Sequence, residues 1–338
     1  MATIKEIAEL AGVSRGTVDR VLNDRGSVSP ATAALIRDIA RQLDYRPNRA
    51  GIALAAQRKN LRLGVLLFDT GNLFFDDVWQ GVFEKAEELG GYNCTVLTKK
   101  VGFSARAQAD AIAELDSCRI DGLVLSPFND ALIAGQIDCL AVRGIPVITT
   151  NTDIRNARRL AFVGSDFYRC GQTAAGLMRL MTQGETRVGI ITGSSQVLCH
   201  TDRIRGFCDA ISDRYPRIHV AATIENSDDE FESYDKTLEL LHSHPEINAL
   251  HFTAGGVYGG CRAVLAAGRK DICIIAYDQT PTTKELVSQD IISATICQQP
   301  ALQGSLPLQL LFDYLMTGSR PEKEHYYTAV DIRIRENL

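Results

Sequence analysis

From residue 61 onward the chain alternates short apolar runs with amphipathic stretches, and this alternation narrows the possible folds more than any single motif does. Runs at 62–68, 92–98, 121–126 and 146–150 read as buried strands, separated by helical spacing at 75–89, 105–117 and 130–142. A second series begins after Val163 and Gly164: helices at 168–181, 202–214, 230–241 and 257–267 alternate with strands at 187–192, 217–224, 248–253 and 272–277. Further strands read at 291–297 and 326–334. Strands joined through helices require a mostly parallel sheet covered on both faces. Two such series in succession make two doubly wound α/β lobes with a cleft between them. Ligands in these sheets bind beyond the carboxyl ends of the strands, so residues 69–75, 127–129, 151–153, 194–203, 228, 254–258, 278 and 298 are the candidates.

The first sixty residues follow a different pattern. Ile4, Ile7, Ala8 and Ala11 fall at helical spacing, Gly12 stops that helix, and Ser14 caps a second helix whose Val18, Val21 and Leu22 share a face. Two short helices joined by a Gly turn form a helix-turn-helix, which places its second helix in the major groove of DNA. Ser14, Arg15, Gly16, Thr17 and Arg20 occupy the exposed side, where arginines reach guanine or phosphate and Gly16 allows close backbone approach. Asp19, a carboxylate near DNA, is expected to steer an arginine. Ser29 and Pro30 start a third helix, with Ala34, Leu35, Ile39 and Leu43 as its apolar stripe.

Residues 3–59 resemble the DNA-binding headpiece and hinge of the lactose-repressor (LacI) family of bacterial transcription regulators. Ala11-Gly12-Val13-Ser14, Thr17-Val18, Arg20-Val21-Leu22-Asn23 and Tyr45-Arg46-Pro47-Asn48-Arg49 carry the likeness. It implies that Thr3, Ser14, Arg15, Gly16, Thr17, Arg20, Asn23, Ser29, Tyr45 and Asn48 face DNA. Leu54 would be the apolar lever that paired hinge helices push into the minor groove, kinking the duplex. Asp19 departs from the usual Ser, and Gly51 in the hinge costs a helix about 1 kcal/mol relative to Ala.

Residues 61–335 resemble the sugar-binding clamshell of the same family and, more closely, ribose-type periplasmic solute-binding proteins. The likeness makes Asn72, Phe74 and Phe75 the sugar-packing stretch, Arg203 the hydroxyl-binding arginine, Asp278 the carboxylate that accepts from two hydroxyls, and Gln298 the closing glutamine. Asn151-Thr152 stands where the ribose binders have Asp-Arg, and Ala254-Gly255 where they have Asn-Asp, so ribose is not expected to fit unchanged. The residue mix suits a sugar or polyol on physical grounds too. Aromatic faces cover the ring, and planar Arg, Asp, Asn and Gln groups make paired hydrogen bonds to neighbouring hydroxyls. Each residue also has a purely structural reading: helix-start packing for Phe74 and Phe75, a surface helix position for Arg203, and a cap on the helix starting at Pro281 for Asp278.

Composition supports this division of labour. The net charge is −5, yet the first sixty residues hold ten basic and six acidic side chains, +4, which leaves −9 for the rest. A basic headpiece on an acidic body is the balance expected of a nucleic-acid reader with a separate regulatory domain. Nine cysteines are scattered without a CxxC pair, and no apolar run approaches a membrane span of about 20 residues, so most cysteines are expected in the core of a cytoplasmic, nucleoid-associated protein. No catalytic set emerges: Ser194, Ser195 and His200 lack a nucleophile elbow, and His242 and His244 lack further metal ligands. Asp228 to Glu230 reads as a helix N-terminus.

The expected architecture is a headpiece at 1–46, a hinge at 47–60 and a two-lobed domain at 61–338, with lobe one near 61–164 and 299–325 and lobe two near 165–298 and 326–338. The expected function is a regulator, most simply a repressor, that binds a palindromic operator as a homodimer. A sugar or polyol in the cleft, touching Asn72, Phe74, Phe75, Asn151, Arg203, Asp228, Ala254, Asp278 and Gln298, would control it without cofactor, metal or catalysis. The competing reading is a cytosolic solute sensor with no DNA role.

Overall fold

The computed structural model describes residues 3–22, 28–43, 59–69 and 71–338. The expected hinge residues through 58, with Asn23, Tyr45, Asn48 and Leu54, lie outside the described residues.

Among the described residues the headpiece has three helices: α1 (Ile4–Ala11), α2 (Arg15–Leu22) and α3 (Pro30–Gln42). Thr3 and Glu6 form a capping box at the start of α1, and Gly12 ends it in the left-handed conformation, φ 65°. The Ser14 hydroxyl accepts from the Thr17 amide at 3.1 Å, and Ser29 accepts from Thr32 at 3.2 Å. Ile7, Ala8, Val18, Val21, Ile36 and Ala40 form the buried core. The α3 stripe differs from expectation: Ile36 and Ala40 point inward, whereas Leu35 and Leu43 are exposed. The inward face runs 33, 36, 40, because that is the side that meets α1 and α2.

The first lobe is a six-stranded parallel sheet built from β1 (Arg62–Phe68), β2 (Thr95–Val101), β3 (Gly122–Leu125), β4 (Val147–Thr150), β5 (Ala161–Gly164) and β11 (His325–Tyr327), in the order β11-β5-β4-β3-β1-β2. Helices α4 (Phe74–Gly90), α5 (Ala105–Ser117), α6 (Ala131–Val142) and α12 (Pro300–Thr317) cover it. The second lobe repeats the plan with β6 (Thr186–Thr192), β7 (Ile218–Glu225), β8 (Ala249–Phe252), β9 (Cys273–Tyr277), β10 (Ala294–Cys297) and β12 (Asp331–Arg333), in the order β12-β10-β9-β8-β6-β7. Its helices are α7 (Phe167–Met181), α8 (Leu198–Arg214), α9 (Glu230–Ser243), α10 (Val257–Ala266) and α11 (Pro281–Ser288). Only β12 runs antiparallel to its neighbour.

The chain crosses between lobes after β5, after β10 and between β11 and β12. The last crossing divides the single strand expected at 326–334. β11 pairs with β5 in the first sheet and β12 with β10 in the second, so residues 328–330 must bridge the lobes instead of extending a ladder. Strand β2 starts at Thr95, three residues later than expected, because Gly90 to Cys94 form a turn with Asn93 at φ 55°. Helix α12 continues through Pro307. A proline leaves the carbonyl four residues earlier without its helical donor. That carbonyl, Gln303, instead accepts from the Thr150 hydroxyl at 2.6 Å. Of the nine cysteines, all free, only Cys94, Cys170, Cys199 and Cys261 are buried, fewer than expected.

Candidate functional site

The strand order brings the carboxyl ends of β1, β4, β6, β8 and β9 to one interlobe cleft. From the first lobe come Phe68, Asn72, Phe74, Phe75, Phe103 and Asn151; from the second Val197, Cys199, His200, Arg203, Asp228, Ala254, Gly255, Asp278 and Gln298. All nine expected ligand positions are among them. The structural readings fare unevenly. Phe74 and Phe75 belong to the core and also line the cleft. Arg203 is 3 % exposed, not a surface arginine. The cap of α11 is Thr280, not Asp278.

The first-lobe wall is aromatic. Phe68 meets Phe75, Phe103 and Phe128 edge-on at 6.3, 4.9 and 5.0 Å, and Phe74 meets Phe75 at 5.5 Å. Edge-to-face contacts fix the ring orientations. The Asn72 carboxamide oxygen accepts from the Phe74 amide at 3.0 Å, holding the loop at the start of α4. Asn151 turns the chain after β4 at φ 63°.

The second-lobe wall is charged. Helix α8 lies against α7 so closely that a Cβ on Gly171 would fall 2.0 Å from the Arg203 carbonyl, which sets where Arg203 stands. Its guanidinium donates to Thr253 O at 2.6 Å and lies 3.9 Å from the Tyr277 ring centre and 5.1 Å from that of Phe167. Stacked and anchored in this way, it is held as a fixed donor fork. Asp278 stands at φ 69° and accepts from Gln298 Nε2 at 2.8 Å, which couples the two residues expected to grip hydroxyls. Burial pushes its carboxyl up to about 6, against the pull of Arg203. Behind them His251 has both ring nitrogens buried without a protein partner, stacks on Phe207 at 4.6 Å, and is pushed down to about 3 by burial and by Arg203.

Six lining residues are not among the nine expected positions: Val197, Cys199, His200 and Gly255 fall inside the stretches 194–203 and 254–258 without being singled out, and Phe68 and Phe103 fall outside every candidate stretch. Phe103 follows β2, whose end was placed at 98 instead of Val101. Cys199 and His200 open α8, which begins at Leu198, a turn before the expected 202. Burial alone would lower the His200 imidazolium, but the adjacent Cys199 sulfur and Asp228 carboxylate raise it to about 9.

In the headpiece, Ser14, Arg15, Gly16 and Arg20 are exposed on one side of α2 and Thr17 is half-buried beside them. Arg20 Nε donates to Gly16 O at 3.0 Å, and its Nη2 reaches the Thr17 hydroxyl at 3.4 Å. The Ser14 and Thr17 hydroxyls are 2.9 Å apart. Thr3 and Ser29 are spent as helix caps, although both remain exposed.

Residues 63–319 match the periplasmic binding protein domain family, and residues 3–48 match the bacterial regulatory proteins of the lacI family. The chain belongs to the LacI family, with a sensor of the periplasmic binding protein type. This regulator is 26 % identical over 361 residues to the HTH-type transcriptional regulator CelR of Thermobifida fusca, covering 99 % of this chain and 98 % of that one. It is 26 % identical over 338 residues to the ribose operon repressor of Haemophilus influenzae, covering 98 % and 96 %. Its lobes share the fold of a glucose-galactose binding protein from Geobacillus stearothermophilus, with a TM-score of 0.75 at 24 % identity over 82 % of this chain and 99 % of that one. The relatives it matches are transcription regulators and sugar-binding proteins. Among the described residues no helix is long and apolar enough to cross a membrane, and no cluster of three or more metal-ligating side chains occurs.

Proposed function

We propose that this regulator acts in the cytoplasm as a repressor, binds a palindromic operator as a homodimer, and is controlled by a sugar or polyol in the interlobe cleft. The observation that carries the effector reading is the composition of the two walls. Phe68, Phe74, Phe75 and Phe103 offer aromatic rings on one lobe, and Arg203, Asp278 and Gln298 offer planar hydrogen-bonding groups on the other. That is the chemistry of a polyhydroxylated ring held between an apolar face and bidentate partners.

The DNA reading rests on α2, with Arg15 and Arg20 toward base edges or phosphates and Ser14, Gly16, Thr17, Thr3, Ser29, Asn23, Tyr45 and Asn48 positioning the headpiece. Two half-sites require two headpieces, hence a two-fold dimer. Effector binding changes the angle between lobes and therefore the spacing of the two hinge segments at 47–60, which decides whether Leu54 and its mate enter the minor groove together. Supporting a closure coupling, the lobes already touch across the cleft rim. The Asn129 amide donates to Gln196 O at 2.9 Å, and the Cys199 amide to the Thr152 hydroxyl at 3.3 Å.

The test uses duplexes selected from a random pool by the full-length protein. Arg20→Ala should abolish their retention while leaving sugar-induced thermal stabilisation intact, and Asp278→Ala should do the reverse. Loss of both properties in either variant would overturn the division into two separate sites.

A further inference from the structure

Gly193 follows β6 and Gly255 follows β8, and a side chain at either would press on Asp228, at 193 together with His200 and at 255 together with Asn72. A Cβ on Gly193 would lie 2.5 Å from His200 Cε1 and 2.7 Å from His200 Nδ1, and one on Gly255 would lie 3.1 Å from Asp228 Oδ1 and 3.2 Å from its Cβ. The space that a side chain at 255 would fill is therefore shared by the Asn72 carboxamide and Asp228, which enters from the loop after β7.

Asp228 is built into that place. Its backbone is left-handed, φ 59°, a conformation Asp tolerates better than most residues. Its Oδ1 accepts from the Gly255 amide at 2.6 Å and its own amide donates to Asn226 Oδ1 at 3.1 Å. Asn226 closes the loop by donating to Gly255 O at 2.9 Å. His200 Nδ1 meets Ser194 O at 3.2 Å, which turns Nε2 toward Asp228 Oδ2, 4.0 Å away. The two side chains are 7 % and 4 % exposed, and both line the cleft across from the phenylalanine wall.

A separation of 4.0 Å is too long for a direct hydrogen bond. It suits a bridging hydroxyl, which would accept from Nε2 and donate to Oδ2 at about 2.8 Å from each. Charge narrows the ligand further. Among the described residues Arg203 is the one arginine or lysine lining the cleft, and with the cationic His200 it already balances the two carboxylates, Asp228 and Asp278. A phosphate would bring about two more negative charges to a desolvated space, with a guanidinium already committed to Thr253.

We propose that Asp228 and His200 form a hydroxyl-reading pair on the second-lobe wall, and that the effector is an uncharged polyhydroxy compound, not a phosphorylated or acidic one. This rests on the sugar or polyol reading of the cleft and sharpens it. Titration calorimetry on the full-length protein tests it with D-ribose, D-galactose, D-glucose and myo-inositol against glucose 6-phosphate and D-glucuronate. At least one neutral probe should bind, and glucose 6-phosphate and D-glucuronate should bind at least tenfold more weakly than it. Asp228→Asn, which keeps an acceptor for the Gly255 amide, should weaken the neutral probe at least tenfold. Gly193→Ala, which displaces the imidazole without removing it, should do the same, with thermal melts showing that both variants fold. A neutral probe that binds both variants as tightly as the wild type, yet is lost in Asp278→Ala, overturns the pair and leaves the sugar reading standing. Tighter binding of the phosphate or the uronate also overturns it. No binding by any probe removes the sugar reading and this inference together.

Discussion

The two walls of the cleft are built by the same fold and do opposite work. On the first lobe, loops after β1 and β2 carry phenylalanines that are at once core and surface, so their positions are fixed by packing. On the second, helix α8 carries His200 and Arg203 and the loops after β7 and β9 carry Asp228 and Asp278, whose positions are fixed by hydrogen bonds, stacking and glycine-allowed close approach. One wall thus supplies apolar contact with little directional demand, and the other supplies direction. On the proposed reading, binding energy and specificity are separated between the lobes, and closure combines them.

That separation makes ordered predictions. The largest effect belongs to the polar wall. Asp278→Ala removes two charged hydrogen bonds to the ligand, at about 1.5–3 kcal/mol each, and should weaken effector binding on the order of a hundredfold or more by calorimetry. Folding should change little. Phe75→Ala should show the inverse balance. Truncating a buried phenylalanine costs about 3–5 kcal/mol of stability, visible in chemical denaturation, while preference among sugar epimers is retained. Equal loss of epimer preference in both variants would break the contrast between the walls.

Two smaller effects follow from protonation. On the proposed reading Asp278 would accept ligand hydroxyls as a carboxylate, and burial has raised it to about 6. Effector affinity should therefore be steady above neutrality and fall as pH drops through about 6, a dependence that Asp278→Asn should flatten. His251 is depressed from an ordinary 6.5 to about 3 by burial. Between those values the unfolded chain binds a proton that the folded one refuses. Its contribution to stability is thus complete above 6.5 and is lost toward pH 3, by about 1.4 kcal/mol per pH unit. His251→Leu should remove that slope in denaturant titrations and leave sugar preference alone.

The sequence made the alternation, both lobes and all nine expected cleft positions legible, because strand ends are apolar-to-polar transitions that survive errors of a few residues. What it hid depended on tertiary context. β5 has four residues and shows only against β4 and β11. Pro307 reads as a helix breaker until Thr150 is seen to serve the Gln303 carbonyl. The His200–Asp228 pair was out of reach because glycines at 193 and 255 look like ordinary loop residues, and only their neighbours show what space they leave. In α3, Leu35 is a stronger apolar signal than Ala40, yet geometry chose Ala40 for the core.

The most direct test of the account is the coupling between its two sites. Duplex selected by the full-length protein would be titrated, by fluorescence anisotropy, with and without a saturating concentration of the neutral sugar that binds most tightly, and the sugar affinity would then be measured with and without duplex. Linkage requires both affinities to change by the same factor, and coupling of the usual size predicts about 5–150-fold, absent in Asp278→Ala. DNA affinity that stays constant while the cleft is saturated would contradict the claim that closure of these two unlike walls governs the headpiece.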